Sequence, residues 1–288
     1  MDEMPPENAR QMMRAMSSLG DLPRGDIAKV EDFVIPGPGG DLALRLYDNR
    51  PDRAAGPVMV FFHGGGWVIG DLETHDGFCA EAARQLDMPV YAVDYRLAPE
   101  HPFPAAPQDC EAAARWIADH IACTGLILCG DSAGGNLTIV TGLALRDSPA
   151  KVPVLALHPI YPAVTSSTDW ESFRSFGEGY LLTQSSMEWF GEQYAADPAD
   201  RRTSPLDFPA EGLPPTLLIT AGLDPLRDQG RAYAAKLIAA GVPTTYREAK
   251  GNVHGYISLG QAIPSSLKDI RGALTALKHI VLELTSDA

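Results

Sequence analysis

The sequence predicts a doubly wound α/β domain, and three observations carry that expectation. Short continuous apolar runs recur along the chain, helical stripes fill the intervals, and turn formers separate them. Continuous runs, unlike alternating ones, suit strands buried on both faces of a parallel sheet, and their alternation with helices marks the class. At 288 residues the chain is long for one domain, yet within range of a single α/β unit with a large core and a cleft.

The first segment reads as an amphipathic helix, with Ala9, Met12, Met13 and Met16 on one stripe. Such a stripe fits core packing first and a flexible lid over a pocket second. Val30–Ile35 and Leu42–Tyr47 follow as strands on either side of the turn at 36–40. Val58–Phe62, Val90–Val93, Leu126–Cys129, Val154–Leu157 and Thr216–Thr220 are the buried strand candidates, and Thr244–Glu248 is a further one. Cys110, Ala113, Ala114 and Ile117 mark a helix between two of them. Leu137, Ile139, Val140, Leu143 and Leu145 make the helix after Leu126–Cys129 apolar nearly all round, as a central buried helix should be. The last helix opens at Ser265 or Ser266 and turns Leu267, Ile270, Leu274, Leu277, Val281 and Leu284 toward the sheet. Residues 163 to about 208 break the alternation. Rich in aromatics and too long for a loop, they predict a helical cap inserted after the sixth strand. Residues 1–25 supply the other cap element of a single domain spanning 1–288.

Composition narrows the function. With 23 basic and 37 acidic residues the net charge is −14, which argues against nucleic acid and against an anionic membrane surface. No apolar run approaches the length of a membrane span, and the segment from Met1 to Pro6 lacks the basic and apolar regions of a secretory signal. Cys79, Cys110, Cys123 and Cys129 are too few and too irregular for a disulfide or zinc scaffold, so buried reduced thiols of a cytoplasmic protein are expected. No metal motif is present and no cofactor is called for.

Three motifs carry chemistry. Gly130–Gly134 reads G-x-S-x-G at a strand-to-helix turn, the context that projects Ser132 above a sheet as a nucleophile. Three glycines after Val58–Phe62, at 64–66, suit a backbone that must approach a substrate oxyanion closely. The amides of Gly65, Gly66 and Ala133 would then stabilise a tetrahedral intermediate. His63 would brace that loop. Of seven histidines only His254 and His279 lie late enough to serve as base, and His279 falls in the last helix. His254 follows a strand candidate, and Asp224 ends the strand before it, with Asp228 as runner-up in the first helical turn.

The strings HGGGWVIGD at 63–71, DYRLAPEHPFP at 94–104, GDSAGGNL at 130–137, DPLRD at 224–228 and HGY at 254–256 resemble the bacterial hormone-sensitive-lipase-like esterases of the α/β-hydrolase superfamily. The resemblance runs from about Val30 to the C-terminus, and Asp131 places the chain with the GDSAG branch. It implies an α/β-hydrolase fold with a mostly parallel sheet, a catalytic set of Ser132, Asp224 and His254, and an oxyanion hole of Gly65, Gly66 and Ala133. It also implies hydrolysis of short- to medium-chain acyl esters without cofactors. Trp67, Leu182, Met187, Phe190 and Tyr256 are the expected substrate-binding residues. Dimers through a sheet edge are common in similar enzymes. Two departures stand out. Members usually carry two N-terminal cap helices where this chain offers one, and Tyr256 stands where Phe is commoner. An amidase or arylformamidase on the same fold is the alternative; a non-catalytic small-molecule receptor would be expected to lack His254.

Overall fold

The computed structural model describes residues 4–286. Helix α1 (Pro6–Gly20) leads into the hairpin of β1 (Lys29–Gly37) and β2 (Gly40–Asp48). There follow β3 (Gly56–Phe62), α2 (Asp76–Leu86), β4 (Val90–Asp94), α3 (Ala105–His120), β5 (Cys123–Asp131), α4 (Ala133–Asp147) and β6 (Val154–Ile160). Two helices without an intervening strand come next, α5 (Glu171–Phe176) and α6 (Gln184–Tyr194). The chain then returns through β7 (Thr216–Leu223), α7 (Arg227–Ala239), β8 (Thr244–Val253) and α8 (Pro264–Ser286). All eight strands form one sheet in the order β1-β2-β4-β3-β5-β6-β7-β8. β2 runs antiparallel to β1 and β4, and every other pairing is parallel.

Successive side chains of a strand point to opposite faces, and the two cores follow that rule. Val60, Phe62, Leu126 and Leu128 pack with α3, α4 and α7, whereas Met59, Phe61, Ile127 and Cys129 pack with α2 and α8. The central strands are therefore apolar on both faces. β8, an edge strand, alternates between half-buried and exposed positions over its first half. On α8, Ile270, Leu274, Leu277 and Val281 are buried, while Leu267 and Leu284 at its two ends are half-buried.

The structure departs from the sequence reading in three places. β5 runs on to Asp131 and β8 on to Val253, so Ser132 and His254 each stand immediately beyond a strand end. Hydrogen bonds to a neighbouring strand outlast the apolar run, because glycine and polar residues pair through their backbone. Cys123 opens β5 half-exposed, unlike the three buried thiols. The methionines of α1 are half-buried, whereas Ala9 on the same helix is fully buried.

Asp94 ends β4 half-buried, with no hydrogen bond to its carboxylate among the described residues. Burial first, and repulsion from Asp71 second, push its pKa up to about 6, against the pull of Arg14 and Arg45. A carboxyl whose folded pKa lies above its unfolded value costs stability once pH rises through the folded value, and costs none below the unfolded one. Asp94→Asn should therefore raise Tm by about 3 °C at pH 8 and leave it nearly unchanged near pH 4. A thermal melt showing no gain at pH 8, or equal gains at both, would contradict this.

Candidate active site

Ser132 bridges β5 and α4 with φ 56° and ψ −117°, a conformation that non-glycine residues adopt only under constraint. Its amide donates to the Ile160 carbonyl at 2.9 Å, fixing the turn to β6. The motif's glycines have a direct steric reason. A Cβ on Gly134 would lie 1.9 Å from the Phe62 carbonyl oxygen, and one on Gly130 would lie 2.4 Å from that of Gly134.

The Ser132 hydroxyl is partly exposed and lies 2.7 Å from His254 Nε2. His254 Nδ1 lies 2.8 Å from Asp224 Oδ2, and Asp224 is fully buried. The other oxygen of Asp224 accepts the Leu226 amide at 2.8 Å, which fixes the carboxylate's orientation. The Tyr161 ring packs against the imidazole at 4.7 Å. Asp228 is elsewhere: its carboxylate accepts the Ser172 amide at 2.9 Å, tying α5 to α7.

After β3 the backbone turns through Gly65 at φ 120° and Gly66 at φ 60°. Among the described residues the amides of Gly65, Gly66 and Ala133 make no hydrogen bond within the protein, whereas that of Gly64 donates to Asp131 Oδ1 at 2.7 Å. Free amides at a helix N-terminus beside a nucleophile are suited to hold a developing oxyanion. His63 braces the loop as expected: its ring stacks on Tyr95 at 4.2 Å, and its carbonyl accepts the Tyr95 hydroxyl at 2.7 Å. Burial, and His75 nearby, push its pKa down to about 4, so the ring is neutral.

Above these groups opens a cleft of about 830 Å³. Met12, Met13 and Met16 form one wall, so the methionines of α1 face the cleft, while Ala9 on the same stripe lies in the core and Met13 also packs against it. Trp67, Leu182, Met187 and Phe190 line the cleft too. Trp67 stacks on Tyr194 at 4.3 Å, and Phe190 occupies the space a side chain on Gly66 would fill. Tyr256 is different and corrects the sequence reading. Its side chain is 1% exposed, packs against Tyr161, and stays off the cleft surface. The short helical turn Tyr256–Ser258 rotates it into the core, while Gly255 and Ser258 face the cleft instead. Conversely, His75 and Asp131 meet beneath the glycine loop at 3.1 Å. In the sequence Asp131 stands out only as a motif residue, and nothing local marks His75.

Known proteins resemble this chain in sequence and fold. The α/β hydrolase fold family matches over residues 59–258. Carboxylic ester hydrolase LipN of Mycobacterium tuberculosis is 40% identical over 286 residues, covering 94% of this chain and 75% of that protein. Ethyl acetate hydrolase of Pseudomonas putida is 37% identical over 253 residues, covering 84% of this chain and 79% of that one. The solved structure of an esterase from Pyrobaculum calidifontis superposes with a TM-score of 0.90 at 35% identity, covering 97% of this chain and 94% of that one. The chain belongs to the α/β-hydrolase family, among relatives named carboxylic ester hydrolase, esterase and ethyl acetate hydrolase.

Proposed function

We propose that the protein is a serine carboxylesterase that hydrolyses short- to medium-chain acyl esters in the cleft through an acyl-enzyme. The relay of Ser132, His254 and Asp224, at 2.7 Å and 2.8 Å, is the observation that carries this reading. His254 takes the hydroxyl proton as Ser132 attacks the ester carbonyl, and Asp224 holds the imidazole tautomer and stabilises its charged form. The amides of Gly65, Gly66 and Ala133 receive the oxyanion. The alcohol leaves with the proton from His254, and water activated by the same ring then cleaves the acyl-enzyme. Each step draws on groups of the chain itself, without a metal or organic cofactor.

Residues 1–25, of which the first three lie outside the described residues, and about 163–208 act as cap elements of a single domain. Trp67, Leu182, Met187 and Phe190 contact the substrate. With no described helix long and apolar enough to cross a membrane, a cytoplasmic location is proposed from the thiols and the acidic balance. A homodimer, if formed, would use an edge strand, β1 or β8.

Hydrolysis of p-nitrophenyl esters from acetate to palmitate tests the reaction. Rates should peak on short or medium chains and fall about 10⁴-fold or more with Ser132→Ala. Turnover no faster than the variant's on every ester would end the esterase reading. The choice of acid is separately testable. Asp224→Asn should lower kcat by roughly 10³- to 10⁴-fold, whereas Asp228→Asn, which disturbs the α5–α7 contact and the ion pairs to Arg227 and Arg231, should stay within about threefold. Equal losses in both variants would remove Asp224 from its assigned role.

A further inference from the structure

The hydrolase reading leaves one buried charged group unexplained. Asp131, 3% exposed, sits immediately before the nucleophile and under the glycine loop that would receive the oxyanion. Its Oδ1 accepts the Gly64 amide at 2.7 Å, and its Oδ2 accepts the Tyr161 hydroxyl at 3.2 Å. It thereby touches both the loop and the tyrosine packed on His254. A lone carboxylate there would repel the negative charge that the neighbouring amides are to stabilise. It would also carry the heavy desolvation cost of an unpaired buried ion.

His75 is placed to supply the missing charge. It is 1% exposed, and its Nε2 lies 3.1 Å from Asp131 Oδ1. At that distance the two groups act on each other first through charge and then through a hydrogen bond. The other ring nitrogen, Nδ1, is 3.0 Å from the Thr74 hydroxyl oxygen. The proton of that hydroxyl is already directed to the Asp71 carbonyl at 2.9 Å. With its proton held there, the oxygen is left to accept from Nδ1 as it does from the Asp71 amide. Both ring nitrogens face acceptors, which suits the doubly protonated ring.

The electrostatics agree. Burial pulls the His75 pKa down, but Asp131, helped by Asp21 and Asp71, outweighs it and leaves it raised. The nearby ring of His63 is neutral and adds no charge. Burial pushes the Asp131 pKa up, yet His75 first and His254 after it hold it below the usual range. The other titratable groups around the carboxylate are the thiols of Cys79 and Cys129 and the hydroxyls of Tyr95, Tyr161 and Tyr256, all neutral because burial raises their pKa values.

We propose that His75 and Asp131 are positioning residues of the hydrolase: Asp131 ties the oxyanion loop to the nucleophile turn, and the His75 imidazolium compensates its charge beside the developing oxyanion. The inference rests on the esterase reading. It makes the charge balance of the pair, more than the presence of either side chain, the quantity that matters. His75→Gln leaves the carboxylate uncompensated. Asp131→Asn keeps an acceptor for the Gly64 amide and lets the buried His75 ring shed its proton, so that variant and the double variant are both balanced.

The test is the rate of p-nitrophenyl butyrate hydrolysis from about pH 5 to about pH 9 for the unmodified protein, both single variants and the double variant. His75→Gln should lose about 100-fold in kcat with KM within about threefold. Its acid limb should move to higher pH, because an uncompensated carboxylate favours the protonated form of His254. Asp131→Asn and the double variant should remain within about tenfold of the unmodified protein, the double exceeding His75→Gln. A double variant as impaired as His75→Gln, or an acid limb unmoved in His75→Gln, would overturn the proposal, since loss of packing alone predicts both. Should His75→Gln fail to fold, nitrogen NMR of the unmodified protein decides: both ring nitrogens of His75 protonated at neutral pH supports the proposal, and a neutral ring overturns it. An unmodified protein inactive on every ester would instead count against the esterase reading.

Discussion

The close approach of α4 to the end of β3 is the constraint from which the rest of the site follows. With Gly134 pressed against the Phe62 carbonyl, a methyl group at that position would overlap the strand. β3 and β5 pair in parallel with Phe62 opposite Gly130, so the glycine loop and the nucleophile turn leave the sheet side by side. Two segments far apart in sequence thus place donor amides and hydroxyl together before any substrate arrives. Preorganisation of this kind lets the dipoles act without rearranging during the reaction. The strain at Ser132 is held by the sheet on one side and a helix buried over most of its length on the other. β7 and β8 then bring Asp224 and His254 to the same end of the sheet, where ligands bind in open α/β folds.

The cleft is built on a different principle. α1 is fastened at its rim: Arg10 donates to the Val68 and Ala98 carbonyls at 2.9 Å and 3.0 Å and pairs with Glu100, and Arg14 pairs with Asp71. Its inward face is three methionines, unbranched and adaptable side chains that fit varied shapes. The opposite wall reaches down to the glycine loop through Phe190, which lies where any side chain on Gly66 would stand. A rigid reacting centre under a yielding apolar roof suits acyl groups of more than one shape.

Much of this is legible in the sequence because it is local. The strand-to-helix glycines flank Ser132, the three loop glycines follow a buried strand, and Asp224 and His254 each sit near a strand end in the order the chemistry needs. The remainder depends on contacts that spacing does not reveal. Tyr256 neighbours His254 along the chain but is rotated into the core by a short helical turn, so adjacency in sequence misleads. The methionine stripe has the period of a core-facing helix, and period alone does not say whether a core or a cavity lies opposite. His75 opens α2 within an ordinary polar segment, and its partner belongs to β5, so no pattern around it reports a buried ion pair. The extra length of β5 and β8 is set by backbone pairing, which residue type records weakly.

The central claim is that one point in space is shared by the nucleophile and three free amides. The most direct test is a crystal structure of the protein after reaction with an alkyl p-nitrophenyl phosphonate, whose tetrahedral phosphorus stands in for the attacked carbonyl carbon. Ser132 Oγ should be bonded to phosphorus, with the phosphonyl oxygen about 2.7–3.1 Å from the amides of Gly65, Gly66 and Ala133 and the alkyl chain in the cleft beneath α1. An adduct on another residue, or a phosphonyl oxygen turned to solvent away from those amides, would contradict that claim.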